Sequence, residues 1–178
     1  MSFIAPPPAP LATTPLAAML AGIAAAARAP EAERPGRVAA TIAPYLAVPD
    51  LLAPGACPCN PERYVRHLLQ SDPAGGYAVV ALAWRPGQMS PVHAHRTWCA
   101  FGVYRGTLTE GHYAPGPGGT PCQTGSLLRP RGATCHGPAD PELIHRLANL
   151  SGEEAVSIHV YGVPYERFGA DVNLVYAD

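Results

Sequence analysis

Lysine is absent from this chain of 178 residues: all twelve basic side chains are arginine, thirteen acids offset them, and the formal net charge is −1. No basic run occurs, so nucleic acid and anionic membrane are excluded as expected partners and a small-molecule role is favoured. Long apolar runs are lacking too. The longest, Pro15 to Ala27, is Ala-rich, too short to span a bilayer and preceded by no Lys or Arg, so it reads neither as a membrane span nor as a signal peptide. The expected location is cytoplasmic. The five cysteines, Cys57, Cys59, Cys99, Cys122 and Cys135, are odd in number and irregularly spaced, which does not suggest a secreted disulfide framework and leaves reduced thiols as the expectation. Cys57-Pro58-Cys59 is tighter than the paired cysteines of zinc knuckles and has no second pair downstream.

The length fits one domain with a sizeable core. Residues 1–60 differ from the remainder: a Pro/Ala-rich leader from Ala5 to Pro15 precedes two Ala-rich stretches, Leu16–Arg28 and Val38–Leu46, separated by Pro30 and Pro35. Alanine favours helix and proline breaks it, so one or two short helices are expected there, packed outside whatever follows. Residues 61–178 change to short apolar or alternating runs bounded by Gly and Pro: Tyr77–Trp84, Trp98–Tyr104, Leu108–Tyr113, Ser126–Leu128, Leu143–Asn149, Ala155–Tyr161 and Val172–Tyr176. Many short strands with turn signals and no βαβ alternation predict an all-β sandwich or barrel. One segment is open on this reading: Asn60-Pro61-Glu62 resembles a helix start, whereas Tyr64 to Leu69 also reads as an edge strand.

Within the β-rich part, His93 and His95 stand one residue apart, and on a strand both side chains share a face and can grip one metal ion. The spacing of Gly87, His93, His95, Cys99 and Gly106 resembles the first motif of the cupins, with Cys99 where a ligand glutamate normally stands. The second cupin motif is matched by the turn Pro130-Arg131-Gly132 and by His145 with Asn149 four residues later. His136 lies closer to the turn but has Asp140 in the asparagine's place, in a stretch that reads as loop, so His145 is preferred as the third ligand. Three neutral imidazoles without a carboxylate leave the full charge of the metal to attract an anionic substrate, which suits a thiolate. Further on, Ser157, His159 and Tyr161 alternate with Val156, Ile158 and Val160. Period two puts the polar three on one face, either a solvated face or a hydrogen-bonded relay.

Together Pro91-Val92-His93-Ala94-His95, Trp98, Tyr104-Arg105-Gly106, His145-Arg146 with Asn149, Ser157-x-His159-x-Tyr161 and Tyr64-x-Arg66 resemble the cysteine dioxygenase family, which are small cupins. The resemblance implies a double-stranded β-helix, a jelly-roll barrel with the short helices outside. It implies that His93, His95 and His145 bind non-haem Fe(2+), that a small thiol ligates the iron, and that O2 is added to sulfur to give a sulfinic acid. Tyr161, held by His159 and Ser157, would contact the substrate carboxylate. Arg66 would pair with the same carboxylate, assisted by Tyr64, which selects the strand reading of the open segment.

Cys99 falls where animal members carry the cysteine that forms a thioether with the active-site tyrosine and many bacterial members carry glycine. A cross-link between Cys99 and Tyr161 and a small buried thiol both fit. Ala94 and Arg96 stand where many members have Asp and Thr. Arg96 either faces solvent or, turned inward, reads a second carboxylate such as that of mercaptosuccinate; Trp98 is a candidate pocket wall. Arginine at position 66 is associated with cysteine and glutamine with 3-mercaptopropionate, so L-cysteine ranks first and another thiol carboxylate second. His67 and His112 read as surface or packing residues. Competing readings are a non-enzymatic metal-binding cupin sensor and a cupin with another metal. A monomer is the family-based expectation.

Overall fold

Among the described residues ten short strands form because branched and aromatic residues recur between Gly and Pro breaks, and the alanine-rich N-terminal part forms the two longer helices. The computed structural model describes residues 13–177, and the leader expected from Ala5 onward lies, through residue 12, outside the described residues. Helices α1 (Pro15–Ala26) and α2 (Arg34–Ile42) and a 3-10 turn (Ala43–Ala47) precede the strands. The strands are β1 (Val65–Ser71), β2 (Ala78–Trp84), β3 (His93–His95), β4 (Cys99–Arg105), β5 (Thr107–Ala114), β6 (Cys122–Pro130), β7 (Thr134–Gly137), β8 (Asp140–Ala148), β9 (Ala155–Tyr161) and, after the short α3 (Phe168–Asp171), β10 (Asn173–Val175).

They build two antiparallel five-stranded sheets, ordered β1-β2-β9-β4-β7 and β10-β3-β8-β5-β6. The two inner faces enclose a core of Val80, Leu82, Trp84, Phe101, Val103, Leu108 and Leu147, the sandwich expected of the jelly roll.

The outer face of the first sheet is covered. Thr14 caps α1, its Oγ1 accepting from Ala17 N at 3.2 Å, with Pro15 at the start of the helix. Met19 and Ile23 of α1 and Val38 and Ile42 of α2 pack with Val79, Ala100, Ile158 and Val160 of the sheet. Each Met, Ile or Val among them contributes about 1.5–3 kcal/mol of transfer free energy. The close approach requires Gly102 of β4, where a Cβ would lie 2.7 Å from Leu46 Cδ1. β2 and β9 are consequently buried on both faces.

Three expectations shift. Pro35 does not separate two helices but sits in the first turn of α2, where its missing N–H costs nothing. The stretch Val38–Leu46 divides at Ile42, because Pro44 cannot continue an α-helix. The segment around His136 is strand rather than loop: β7 pairs with β4 from Cys99↔Gly137 to Gly102↔Thr134. The open segment forms β1, and Asn60 makes a turn instead of a helix cap, its Oδ1 accepting from Glu62 N at 2.8 Å.

Asn149 and Gly106 close the barrel end. Asn149 is fully buried; its Nδ2 donates to Trp84 O (3.2 Å) and Glu153 O (2.8 Å), and its Oδ1 accepts from Ser151. Gly106 has φ 73° and would place a Cβ 2.8 Å from Glu154 O, so only glycine fits this turn.

Candidate metal centre

β3 carries His93 and His95 on its inner face and pairs with β8 through His93↔His145, so register alone gathers three imidazoles inside the barrel. Their candidate ligand atoms lie within 4.8 Å of one another. His93 Nδ1 donates to Pro91 O (2.9 Å) and His145 Nδ1 to the Glu110 carboxylate (2.8 Å), which leaves Nε2 of each ring as the lone-pair atom. His145 Nε2 is 3.0 Å from His95 Nε2. Nitrogens bonded to one cation at about 2.0–2.1 Å sit about that far apart in neighbouring positions. Burial, reinforced by the neighbouring His145, lowers His93 to about 3, and burial with its histidine neighbours holds His95 well below the usual range. Both are therefore neutral imidazoles at pH 7, the form in which a histidine can bind a metal. The donor set fits a divalent transition metal, and no protein carboxylate neutralises its charge.

Glu110 stands behind His145. Burial alone would raise its carboxyl, but hydrogen bonds from His145 and Arg129 hold it at about 2. Arg129 donates from Nε (2.7 Å) and Nη2 (2.6 Å) to the second oxygen.

The alternating polar residues of β9 face this centre, not water: Ser157, His159 and Tyr161 are buried, while Ile158 and Val160 meet the helices. Trp84 Nε1 donates to Ser157 Oγ (3.0 Å), so the serine proton is free for His159 Nε2 (2.8 Å). His159 then carries its proton on Nδ1 and donates it to Tyr161 Oη (3.1 Å), leaving the phenol proton to point into the barrel. Burial, with Arg66 nearby, lowers His159 to about 3, consistent with a single ring proton, and Phe101 stacks on that ring at 4.9 Å. Burial pushes the Tyr161 phenol up, as does Cys99, so it stays protonated.

A cavity of about 20 Å³ is bounded by the three histidines with Tyr64, Arg66 and Tyr161. Arg66 Nη2 donates to Tyr64 Oη at 3.4 Å, its guanidinium lies 5.7 Å from the Tyr64 ring, and that ring stacks on Trp84 at 4.4 Å. A second cavity of about 190 Å³ lies on the Cys99 side, and His95, Phe101 and His145 wall both.

This geometry has a family. The family profile of cysteine dioxygenase type I matches residues 38–170. The chain belongs to the cysteine dioxygenase type I family. The fold is similar to that of the TT1209 protein of Thermus thermophilus (19% identity, TM-score 0.50, covering 65% of this chain and 96% of that one). It is also similar to an uncharacterised protein with a double-stranded β-helix domain from Klebsiella pneumoniae (18% identity, TM-score 0.48, covering 69% and 92%). The chain is a cupin of the thiol dioxygenase family, with a group of three histidines that could hold a metal ion.

In this cysteine dioxygenase relative the barrel brings together His93, His95, His145, Ser157, His159, Tyr161, Tyr64 and Arg66. Cys99 is the cross-strand partner of Tyr161 in the β4–β9 pair, and burial pushes its thiol up, as do Cys135 and Glu110. Two candidate specificity residues stay outside. Arg96, just past the end of β3, is exposed and donates to Asn173 O at 3.2 Å. Trp98 turns to the helical layer, where the Arg34 guanidinium lies 5.9 Å from its ring. His136 is not in the three-histidine group either: it pairs with Ala100, its ring lies against Gly36 of α2, and it borders the second cavity. Glu110, Arg129, Trp84 and Asn173 escaped the sequence reading. Glu110 had one signal, an acid in step with Leu108 on the inward face of an alternating run. Among the described residues no helix is long and apolar enough to cross a membrane.

Proposed function

We propose that this protein is a non-haem iron thiol dioxygenase that adds both atoms of O2 to the sulfur of a small thiol carboxylate, with L-cysteine first among the substrates and cysteine sulfinic acid as product. The observation that carries this reading is the single small cavity in which a charge-retaining triad meets Arg66 and the buried Tyr161 relay. The reaction balances without a reductant: the thiol and O2 become the sulfinic acid, sulfur losing the electrons that oxygen gains. Bound Fe(2+) supplies the site for the thiolate and O2. Arg66 holds the carboxylate by a charge-assisted pair, Tyr64 steadies the guanidinium, and Tyr161 Oη directs its proton at the reacting end of the substrate. The small size of the cavity favours small thiols over bulky ones.

The test is anaerobic loading with Fe(2+), admission of O2, and assay of cysteine, 3-mercaptopropionate, cysteamine and mercaptosuccinate for O2 uptake and sulfinate. Cysteine is expected to give the highest kcat/KM, and failure of fully loaded protein with every thiol would establish the metal-binding sensor reading instead. Arg66→Ala is expected to raise the KM of the carboxylate thiols by about 10- to 150-fold, the size of one charged hydrogen bond, and to leave cysteamine unchanged.

The cross-strand pairing of Cys99 with Tyr161 supports a thioether between them. Its formation removes the thiol hydrogen and one ring hydrogen, with O2 as oxidant. Iron-loaded, aerated protein is expected to be lighter by two hydrogens and to yield a linked Cys99–Tyr161 peptide; unchanged intact mass would leave Cys99 as a buried thiol that fills its slot.

A further inference from the structure

Apart from His95 Nδ1, which belongs to the histidine group, two polar atoms of residues lining the small cavity are buried without a partner in the protein: Arg66 Nε, a donor, and Asn173 Oδ1, an acceptor. They stand on the two edge strands that begin the two sheet orders, Arg66 on β1 and Asn173 on β10. Asn173 pairs with His95, so its side chain shares the inward face with that imidazole. The strand that presents it is fixed: Arg96 N donates to Val172 O (2.9 Å), Arg96 Nε to Asn173 O (3.2 Å) and Tyr176 N to Val92 O (3.0 Å).

The other hydrogen-bonding groups of the cavity are committed or are donors. His159 is used by Ser157 and Tyr161, and Ser90 donates to Pro91 O while accepting from Leu147 N. The three metal-facing imidazole nitrogens belong to the ion. A ligand that satisfies both orphaned atoms carries an acceptor for Arg66 and a donor for Asn173, and a buried polar atom left unmatched disfavours any ligand lacking one of them.

We propose that Asn173 is a specificity residue that accepts a hydrogen bond from the α-amino group of an amino-acid thiol while Arg66 holds its carboxylate. The proposal rests on the thiol dioxygenase reading. It sets cysteine apart from 3-mercaptopropionate, which offers the carboxylate and the thiol but no amine.

The test compares wild type, Asn173→Ala and Asn173→Asp. Two readouts are taken: kcat/KM of the iron protein, and anaerobic Kd of the cobalt-substituted protein, followed by thiolate-to-metal absorption, each with cysteine and 3-mercaptopropionate. Asn173→Ala is expected to weaken cysteine by about tenfold or more in both readouts and to leave 3-mercaptopropionate within about twofold, one lost hydrogen bond to a charged group. Asn173→Asp, which keeps the acceptor, restores the preference for cysteine. The cysteine-to-mercaptopropionate ratio is taken within each preparation, so a smaller folded fraction cancels. An equal change for both thiols, or no change for either, overturns the proposal. If wild-type iron protein oxidises no thiol while Asn173→Ala still loses cysteine affinity selectively, the catalytic reading fails and the amine contact stands.

Discussion

His145→Ala is expected to abolish metal retention, whereas His136→Ala leaves it intact. Three imidazole nitrogens would hold the ion with no carboxylate among them, so removal of one leaves two imidazoles, too few to retain a divalent transition metal through desalting. The loss extends behind the ring: Glu110 Oε1, buried and accepting from His145 Nδ1 at 2.8 Å, loses that donor, which costs about 1–3 kcal/mol. His136 lies against Gly36 of α2 and is not one of the three grouped histidines. Metal content per chain by elemental analysis after desalting reads the difference, with the near-ultraviolet circular dichroism of each variant to confirm that it is folded. The reverse pattern, metal kept without His145 and lost without His136, would overturn the ligand assignment.

The choice between those two histidines was legible because Asn149 follows His145 at the motif spacing, and the structure gives that asparagine its physical job: it ties the end of β2 to the turn before β9. The strands on either side were legible from alternation and from Gly and Pro breaks. What alternation leaves open is which face is inside. In β9 the pattern of Ser157, His159 and Tyr161 against Val156, Ile158 and Val160 is the same for a solvated strand and for an inverted one. Only the helical layer, which buries Ile158 and Val160 from outside, turns the polar face inward. β7 escaped because Gly132, Gly137 and Pro138 read as breakers over so short a stretch, and its strand conformation is imposed by pairing with β4. Trp98 reads as pocket wall by proximity to the motif, yet it stands just before β4 and packs with the helical layer on the outer side of the sheet. Asn173 lies within the expected run Val172–Tyr176, but nothing local marks which way its side chain faces; that is set by the pairing with His95.

Which face of β5 is inside was likewise open in the sequence, and this hid Glu110, for which the second large effect is expected. Glu110→Ala should weaken metal binding about 10- to 100-fold, the cost of losing a partner that orients and strengthens an imidazole ligand. It should also lower stability by about 3–5 kcal/mol, because Arg129 keeps its charge with its carboxylate gone. The anion acts on His145 in two ways: it fixes the tautomer that exposes Nε2, and its negative charge makes that nitrogen a better donor. Glu110→Gln separates them. Its amide oxygen still accepts from His145 Nδ1 while the charge is gone, so it should keep much of the stability and lose about tenfold in metal affinity. Urea unfolding of the metal-free variants reads the first quantity, and competition against a chelator of known affinity reads the second. Wild-type metal affinity in a folded Glu110→Gln would show that geometry alone sets the strength of the ligand. Wild-type affinity in a folded Glu110→Ala would remove Glu110 from the metal centre and leave it as a structural partner of Arg129.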